Sequence, residues 1–340
     1  MAPETDTGKT TTQDIEKKAA DFRKTFTRLR EEIMKQIVGY EEVVELVLIS
    51  LFCRGHVLLE GVPGLGKTLL VRSLAEAVNS TFTRIQFTPD LMPADIIGTT
   101  VVVESERGEK LFRFQQGPIF NNIILADEIN RATPKTQSAL LEAMQEGHVS
   151  VGGVTHVLQQ PFYVLGTQNP IEMEGTYPLP EAQIDRFFFK LNVEFLGEDE
   201  LVEIMDRTTR GKIPTLEHVV EAQEIVELQQ FIRNVEIADH VKRYAARLVL
   251  ATHPELEGVD LAKQYIRYGA SPRGVQSLIL GGKVKALLTD RFHVSTEDIR
   301  AVAKPSLRHR ILLNFEGEAE GITSDQIVDR VLEAVPETPA

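Results

Sequence analysis

From Met34 to Val193 short apolar runs alternate with stretches of helical period. HVLLEG, FTRIQF, NIILAD, PFYVLGT and RFFFKLNV are rich in Val, Ile, Leu and Phe and read as five buried strands. Such alternation implies a mostly parallel sheet flanked by helices, an α/β fold. After Gly197 the texture changes. DELVEIMDRTT, VVEAQEIVELQQFI, ADHVKRYAARLVLAT and SPRGVQSLILGGKVKALL have long helical periods punctuated by Gly, Pro and Asp, and they predict a second, all-helical domain. The expected layout is a disordered tail over 1–12, an α/β domain over 13–196 entered by an amphipathic helix, and a helical domain over 197–340. Two segments interrupt the α/β pattern. TTVVVESERGEKLFRF alternates around a turn signal and predicts a β-hairpin that breaks a helix, and HVSVGGVTHVLQQ, centred on Gly152-Gly153, predicts another. His148 and His156 fall on the second hairpin. Without a third ligand at metal spacing they read as hairpin surface or core residues.

Composition narrows the class. The chain has 340 residues, 42% of them hydrophobic, enough for one large or two medium domains with real cores. No apolar run approaches the roughly 18 residues of a membrane span, and the polar first thirty residues hold no secretory h-region, so a cytoplasmic location is expected. The single cysteine, Cys53, fits a reducing compartment and reads as a small buried apolar residue. A formal charge of -13 argues against broad attraction to nucleic acid, which rests on Lys and Arg displacing counterions. Seven acidic residues against one basic between Glu316 and Ala340 supply -6 of that charge, and they read as a solvated helix and tail.

The strongest chemical signal is Gly61-Val-Pro-Gly-Leu-Gly-Lys-Thr68, a P-loop pattern between the strand HVLLE and the helix TLLVRSLAEAV. Its glycines let backbone N–H groups turn toward phosphates at a helix N-terminus, Lys67 reaches the terminal phosphates, and the Thr68 hydroxyl ligates magnesium. Farther on, Ile123-Ile-Leu-Ala-Asp127-Glu128 puts two carboxylates at the end of an apolar strand, a Walker B pattern. Asp127 is expected to hold the magnesium shell and Glu128 to activate the attacking water. Asn169, at the end of FYVLGTQ, could help position that water, although a turn role before Pro170 is open. Arg186 opens the last predicted strand, and Arg273 starts a helix after Ser-Pro. Either guanidinium could meet the charge developing in phosphoryl transfer, or could be an ordinary surface ion-pair residue.

GVPGLGKT, ILADEINRATPKTQSALLEAMQEGHVSVGG, GTQNP, LPEAQIDRF, GASPR and LRHR together resemble the MoxR family of AAA+ ATPases over about residues 34 to 313. The resemblance implies a P-loop NTPase core with a helical lid, and ATP and Mg2+ as cofactors. It implies Asn169 as sensor 1, Arg186 as an arginine finger acting on the adjacent subunit, and Arg273 as the sensor 2 arginine of the lid. A nucleotide-binding set of Val38, Gly39, Gly61, Pro63, Gly64, Leu65, Gly66, Lys67, Thr68 and Leu69 follows, with Gln86 as candidate switch residue. The resemblance also implies a homo-oligomer, a hexameric ring with hairpins toward its channel, and a protein client that can carry a von Willebrand A domain. Nothing in this chain resembles such a domain. Whether Arg273 serves its own or a neighbouring nucleotide is open.

Three other readings stand beside this one. A nucleic-acid motor is disfavoured because one hairpin tip is acidic and the other hairpin has no Lys or Arg. A magnesium-chelatase-like motor subunit shares the site residues, and a nucleotide-dependent scaffold would bind ATP without turning it over.

Overall fold

The computed structural model describes residues 12–104, 106, 109–170, 175–210, 214–256 and 258–337. Apart from Thr12, the expected tail lies outside the described residues, as do Ser105, Arg107 and Gly108 of the first hairpin's turn. The chain opens with α1 (Thr12–Met34) and α2 (Glu41–Phe52), followed by β1 (Val57–Glu60), α3 (Lys67–Ala77), β2 (Phe82–Gln86) and α4 (Pro93–Ile97). A hairpin of β3 (Gly98–Glu104) and β4 (Lys110–Gln116) precedes β5 (Ile123–Asp127) and α5 (Pro134–Glu146). A second hairpin, β6 (His148–Val151) and β7 (Val154–Val157), leads to β8 (Tyr163–Gln168), α6 (Glu181–Ile184) and β9 (Phe189–Asn192). The helical region holds α7 (Glu198–Arg210), α8 (Ala222–Arg233), α9 (Asp239–Leu250), α10 (Asp260–Tyr265) and α11 (Pro272–Leu288). It ends with α12 (Thr296–Ala301), α13 (Ala303–Leu307), α14 (Phe315–Ala319) and α15 (Ser324–Ala334).

The five predicted strands form one parallel sheet, ordered β2-β5-β8-β1-β9. Their apolar runs are buried because helices cover both faces: β1, β5 and β8 are buried along nearly their whole length. Both predicted hairpins are present as antiparallel pairs. The first follows a helix of one turn, and its far side continues into a short 3-10 turn at Pro118–Phe120. The two hairpins lie together, since the His156 ring stacks on Phe114 with centroids 4.1 Å apart. His156 is thus a packing residue of the hairpin pair.

The predicted entry helix is α1. Phe22, Phe26, Leu29 and Ile33 recur at helical spacing and are buried, with Phe22 edge-on to Phe52 of α2 at 5.0 Å. Each such side chain contributes about 1.5–3 kcal/mol of transfer free energy. The region after Gly197 is helical as expected. It also carries two short ribbons, Glu236–Ile237 with His293–Val294 and Ile266–Tyr268 with Leu312–Leu313, too brief to show a strand period in the sequence. One apolar cluster runs from Ala19 through β1 and β9 to Val335, so the helical region and the sheet share a core. Cys53 is buried in it, and burial pushes its thiol up. No described helix is long and apolar enough to cross a membrane.

His56, just before β1, is a buried polar joint. Its Nδ1 accepts from the Val164 N–H at 3.1 Å, so the ring proton sits on Nε2, which donates to the Met144 carbonyl at 3.1 Å. Burial holds this imidazole down to about 4, because a second proton would break the Val164 bond and strand a charge in the core. As the pH falls below about 6.5 the unfolded chain therefore takes up a proton that folded His56 refuses, and stability declines by about 1.4 kcal/mol per pH unit from this residue. Urea midpoints measured from pH 7 to pH 5 should show that decline, and a His56→Gln variant should show a shallower one. Equal slopes would mean that His56 protonates in the folded state.

Candidate active site

Parallel register brings the site together. Glu60 is level with Gln168, Gln86 with Asp127, and Ala126 with Gly166, so β1, β2, β5 and β8 finish side by side at one edge of the sheet. From β1 the chain crosses to β2 at the far side, works back through β5 and β8, and passes β1 again to reach β9. A crevice opens outside the strand ends where the order reverses in this way.

A polar cavity of about 210 Å³ occupies that place, lined by Pro63, Gly64, Gly66, Lys67, Thr68, Arg84, Asp127, Glu128 and Asn169. Gly64 and Gly66 have φ of +86° and +77°, which a Cβ disfavours, and the space where their Cβ atoms would stand is open. Helix α3 begins at Lys67, so its unpaired first-turn N–H groups and its positive end belong to the cavity wall. Lys67 Nζ donates to the Gly61 carbonyl at 2.6 Å. Burial pulls this amine down, while Asp127, Glu128 and Glu60 favour its charged form. Gly61 itself packs against Val193, just after β9, where a Cβ would lie 2.6 Å from the Val193 carbonyl oxygen.

The two carboxylates are held differently. Asp127 Oδ1 accepts from the Thr167 hydroxyl at 2.6 Å, and Oδ2 accepts from Arg84 Nη2 at 2.6 Å and Nε at 3.0 Å. Thr167 Oγ1 also accepts the Glu128 N–H at 2.8 Å. Glu128 sits in the left-handed region at φ 56°, a conformation costing about 1–3 kcal/mol that neighbouring structure must sustain. Its Oε2 accepts from the Gln86 amide at 2.7 Å and Arg131 Nη1 at 2.8 Å. Buried Asn169 lies just beyond β8 on the same cavity.

An apolar cavity of about 300 Å³ adjoins this one, sharing Gly64, Gly66 and Lys67. Val38, Leu65 and Leu69 line it, together with Ile37, Tyr40, Leu196, Ile204 and Arg207. Gly39 does not. It turns at φ +67° beneath Leu196 and lines the cleft on the other side. The combined space suits a nucleotide: an apolar slot for a base beside open glycines, an amine, and the hard oxygens of Thr68 and Asp127 that magnesium prefers.

The two arginines lie elsewhere. Arg186 is not in the last strand, because its N–H continues the turn of α6 by bonding Gln183 O at 3.2 Å, and β9 begins at Phe189. Its Nη1 donates to the Leu141 carbonyl at 2.9 Å. Arg273, in the first turn of α11, donates to Asp185 at 3.0 Å. Asp185, the chain neighbour of Arg186, is thus the residue that Arg273 binds, and neither arginine lines the cavity.

The profile of the ATPase family associated with various cellular activities (AAA) matches residues 56–189, and that of the AAA lid domain matches residues 260–331. Chaperone MoxR1 of Mycobacterium tuberculosis is 44% identical over 312 residues, 92% of this chain and 82% of that protein. This chain belongs to the MoxR family of AAA ATPases. Protein MoxR of Methylorubrum extorquens is 30% identical over 93% of the chain and 96% of its own length. A crystal structure of a Cytophaga hutchinsonii protein assigned as an ATPase superposes with a TM-score of 0.87 at 40% identity, covering 96% of this chain and 99% of that one.

Several residues of this MoxR-family site escaped the sequence reading. Thr167 and Arg131 gave no distinct signal. Arg84 did: a charge in a strand rich in apolar residues, two positions from Gln86 and so on the same face. Arg310 closes the LRHR segment, and its neighbours in the chain give no sign of a partner. Its side chain is 2% exposed, and it donates to Asp185 Oδ1 at 2.9 Å and to the carbonyls of Asp185, Phe187 and Phe188. Burial lowers this guanidinium to about 10. Burial would raise the Asp185 carboxyl, but bonds from Ser271 and Arg273 and the charge of Arg310 outweigh it. Removing one partner of a buried pair leaves the other uncompensated, so Asp185→Asn should destabilise the chain by about 3 kcal/mol in urea unfolding. An unchanged midpoint would show that Arg310 is held by the carbonyls alone.

Proposed function

We propose that this MoxR-family chain hydrolyses Mg-ATP and uses the cycle to remodel a protein client. The observation that carries the reading is the meeting of Lys67, Thr68, Asp127, Glu128 and Asn169 on one cavity beside an apolar slot. Magnesium, when bound, would neutralise phosphate charge and orient the terminal phosphoryl group. Thr68 and Asp127 would hold it. Lys67 and the backbone N–H groups of the glycine loop bind the phosphates, Glu128 takes the proton of the attacking water, and Asn169 orients that water. Gln86 acts as a switch, since its amide now holds the Glu128 carboxylate.

Arg186 and Arg273 complete a neighbouring subunit's site. Support comes from their shared location around Asp185, away from the cavity of their own chain. Such an arrangement calls for a closed ring of like subunits, and the family resemblance favours a hexamer. Residues 13–196 serve as the ATPase unit and 197–340 as the lid. The mycobacterial relative's name, chaperone, favours a protein client, and exposed Phe112, Leu111 and Val157 on the hairpins supply apolar contact surface for one. A partner carrying a von Willebrand A domain would be a separate polypeptide.

Lys67→Ala should abolish measurable nucleotide binding. Glu128→Gln should bind ATP with wild-type affinity while phosphate release falls by about 10²–10⁴-fold, because only the base is lost. If both variants lose binding alike, Glu128 is not the base. Arg186→Ala should bind ATP but hydrolyse poorly, and mixing it with Glu128→Gln subunits should restore part of the activity. Mixed rings no more active than either parent would place the finger in its own chain.

A further inference from the structure

Among the described residues that line the cavity, Arg84 is a cation that the hydrolytic roles leave unused. Arg84 grips Asp127 Oδ2 with two nitrogens, at 2.6 and 3.0 Å. A third bond, from the same Nη2, reaches the Gln86 side-chain oxygen at 2.5 Å, and the amide nitrogen of Gln86 holds Glu128 at 2.7 Å. One guanidinium therefore touches the carboxylate suited to a metal and, through Gln86, orients the amide that restrains the carboxylate suited to water activation. The two ends of the pair differ in exposure: the Asp127 side chain is 14% exposed and that of Arg84 48%. A carboxylate so enclosed needs a positive partner. Nearly half of the Arg84 side chain already meets solvent, so it has room to swing away.

We propose that Arg84 is a displaceable counter-cation. It neutralises Asp127 until a divalent ion arrives with the nucleotide, then withdraws, and its departure frees the Gln86 amide to release Glu128. The inference rests on reading the cavity as an Mg-nucleotide site. Both steps exchange ionic and hydrogen bonds, with no covalent change. A guanidinium suits the task because its fork holds a carboxylate firmly, yet one side-chain rotation takes both bonds away together. Had Arg84 served only to fasten β2 to β5, its value would be the same with and without the metal.

Fluorescent N-methylanthraniloyl ADP and the full-length chain provide the test. Affinity is measured in EDTA and in magnesium, and the ratio of the two dissociation constants gives the metal's contribution. In the wild type the metal must evict Arg84, so Arg84→Ala should enlarge that ratio about three- to tenfold, the range for a partly screened charge pair. Affinity in EDTA should fall in Arg84→Ala, because Asp127 then faces the phosphates without its cation, affinity in magnesium should equal or exceed that of the wild type, and Arg84→Lys, which keeps charge without the fork, should fall between. Melting temperature supplies a second readout. Arg84→Ala should melt below the wild type in EDTA, and the gap should close with magnesium and ADP. A ratio unchanged or reduced in Arg84→Ala, or a melting gap equal in both conditions, overturns the counter-cation role while the nucleotide site stands. A wild-type chain that binds no ADP in either buffer removes the site itself, and the role of Arg84 with it.

Discussion

In-register parallel pairing of β1, β2, β5 and β8 is the constraint on which the rest depends. β1, β5 and β8 are apolar along most of their length and polar where they end, so burial of the runs drives the polar ends to one edge of the sheet, and pairing with β5 brings the end of β2 to the same edge. Because the strands are parallel, those ends are all carboxyl ends, and the loops leaving them share one crevice. A slip of one residue in β5 would turn Asp127 to the opposite face, which is why the register matters more than any single contact.

Charge balance within the crevice follows from that packing. Asp127 and Glu128 are mostly enclosed, and the surroundings supply Arg84, Arg131, Lys67 and the positive end of α3. The backbone of Glu128 is strained, and the Thr167 hydroxyl, accepting its N–H while donating to Asp127, ties the strained residue to the neighbouring strand. Interactions of this kind hold the two carboxylates in different settings although they are adjacent in sequence. One faces a forked cation and a hydroxyl, the other an amide and a single guanidinium nitrogen.

A second polar centre joins the helical region to the sheet. Arg310, inserted between α13 and the turn before β9, binds the side chain and backbone of Asp185 and the carbonyls of Phe187 and Phe188. Asp185 also receives Ser271 and Arg273 from the start of α11. The residue beside Arg186 is thus bonded to the helical region at several points, while the Arg186 side chain is held by the Leu141 carbonyl of α5.

The strands, both hairpins, the entry helix and the helical character of the second half were readable from residue order, because period and turn chemistry are local properties. The grouping of Gly64, Gly66, Lys67 and Thr68 in one loop and of Asp127 and Glu128 at one strand end was readable too, and the sheet brings the two groups onto one cavity. Residue order did not reveal the ribbons of the helical region, the end of α6 that takes Arg186 out of the strand, or the turn that sends Gly39 to the other side of Leu196. Nor did it reveal that Arg84 meets Asp127 or that Arg310 meets Asp185, pairs separated by 43 and 125 positions. Such partners are chosen by the order of strands in the sheet and by the docking of helices on it, and a pattern confined to neighbouring residues carries no record of either.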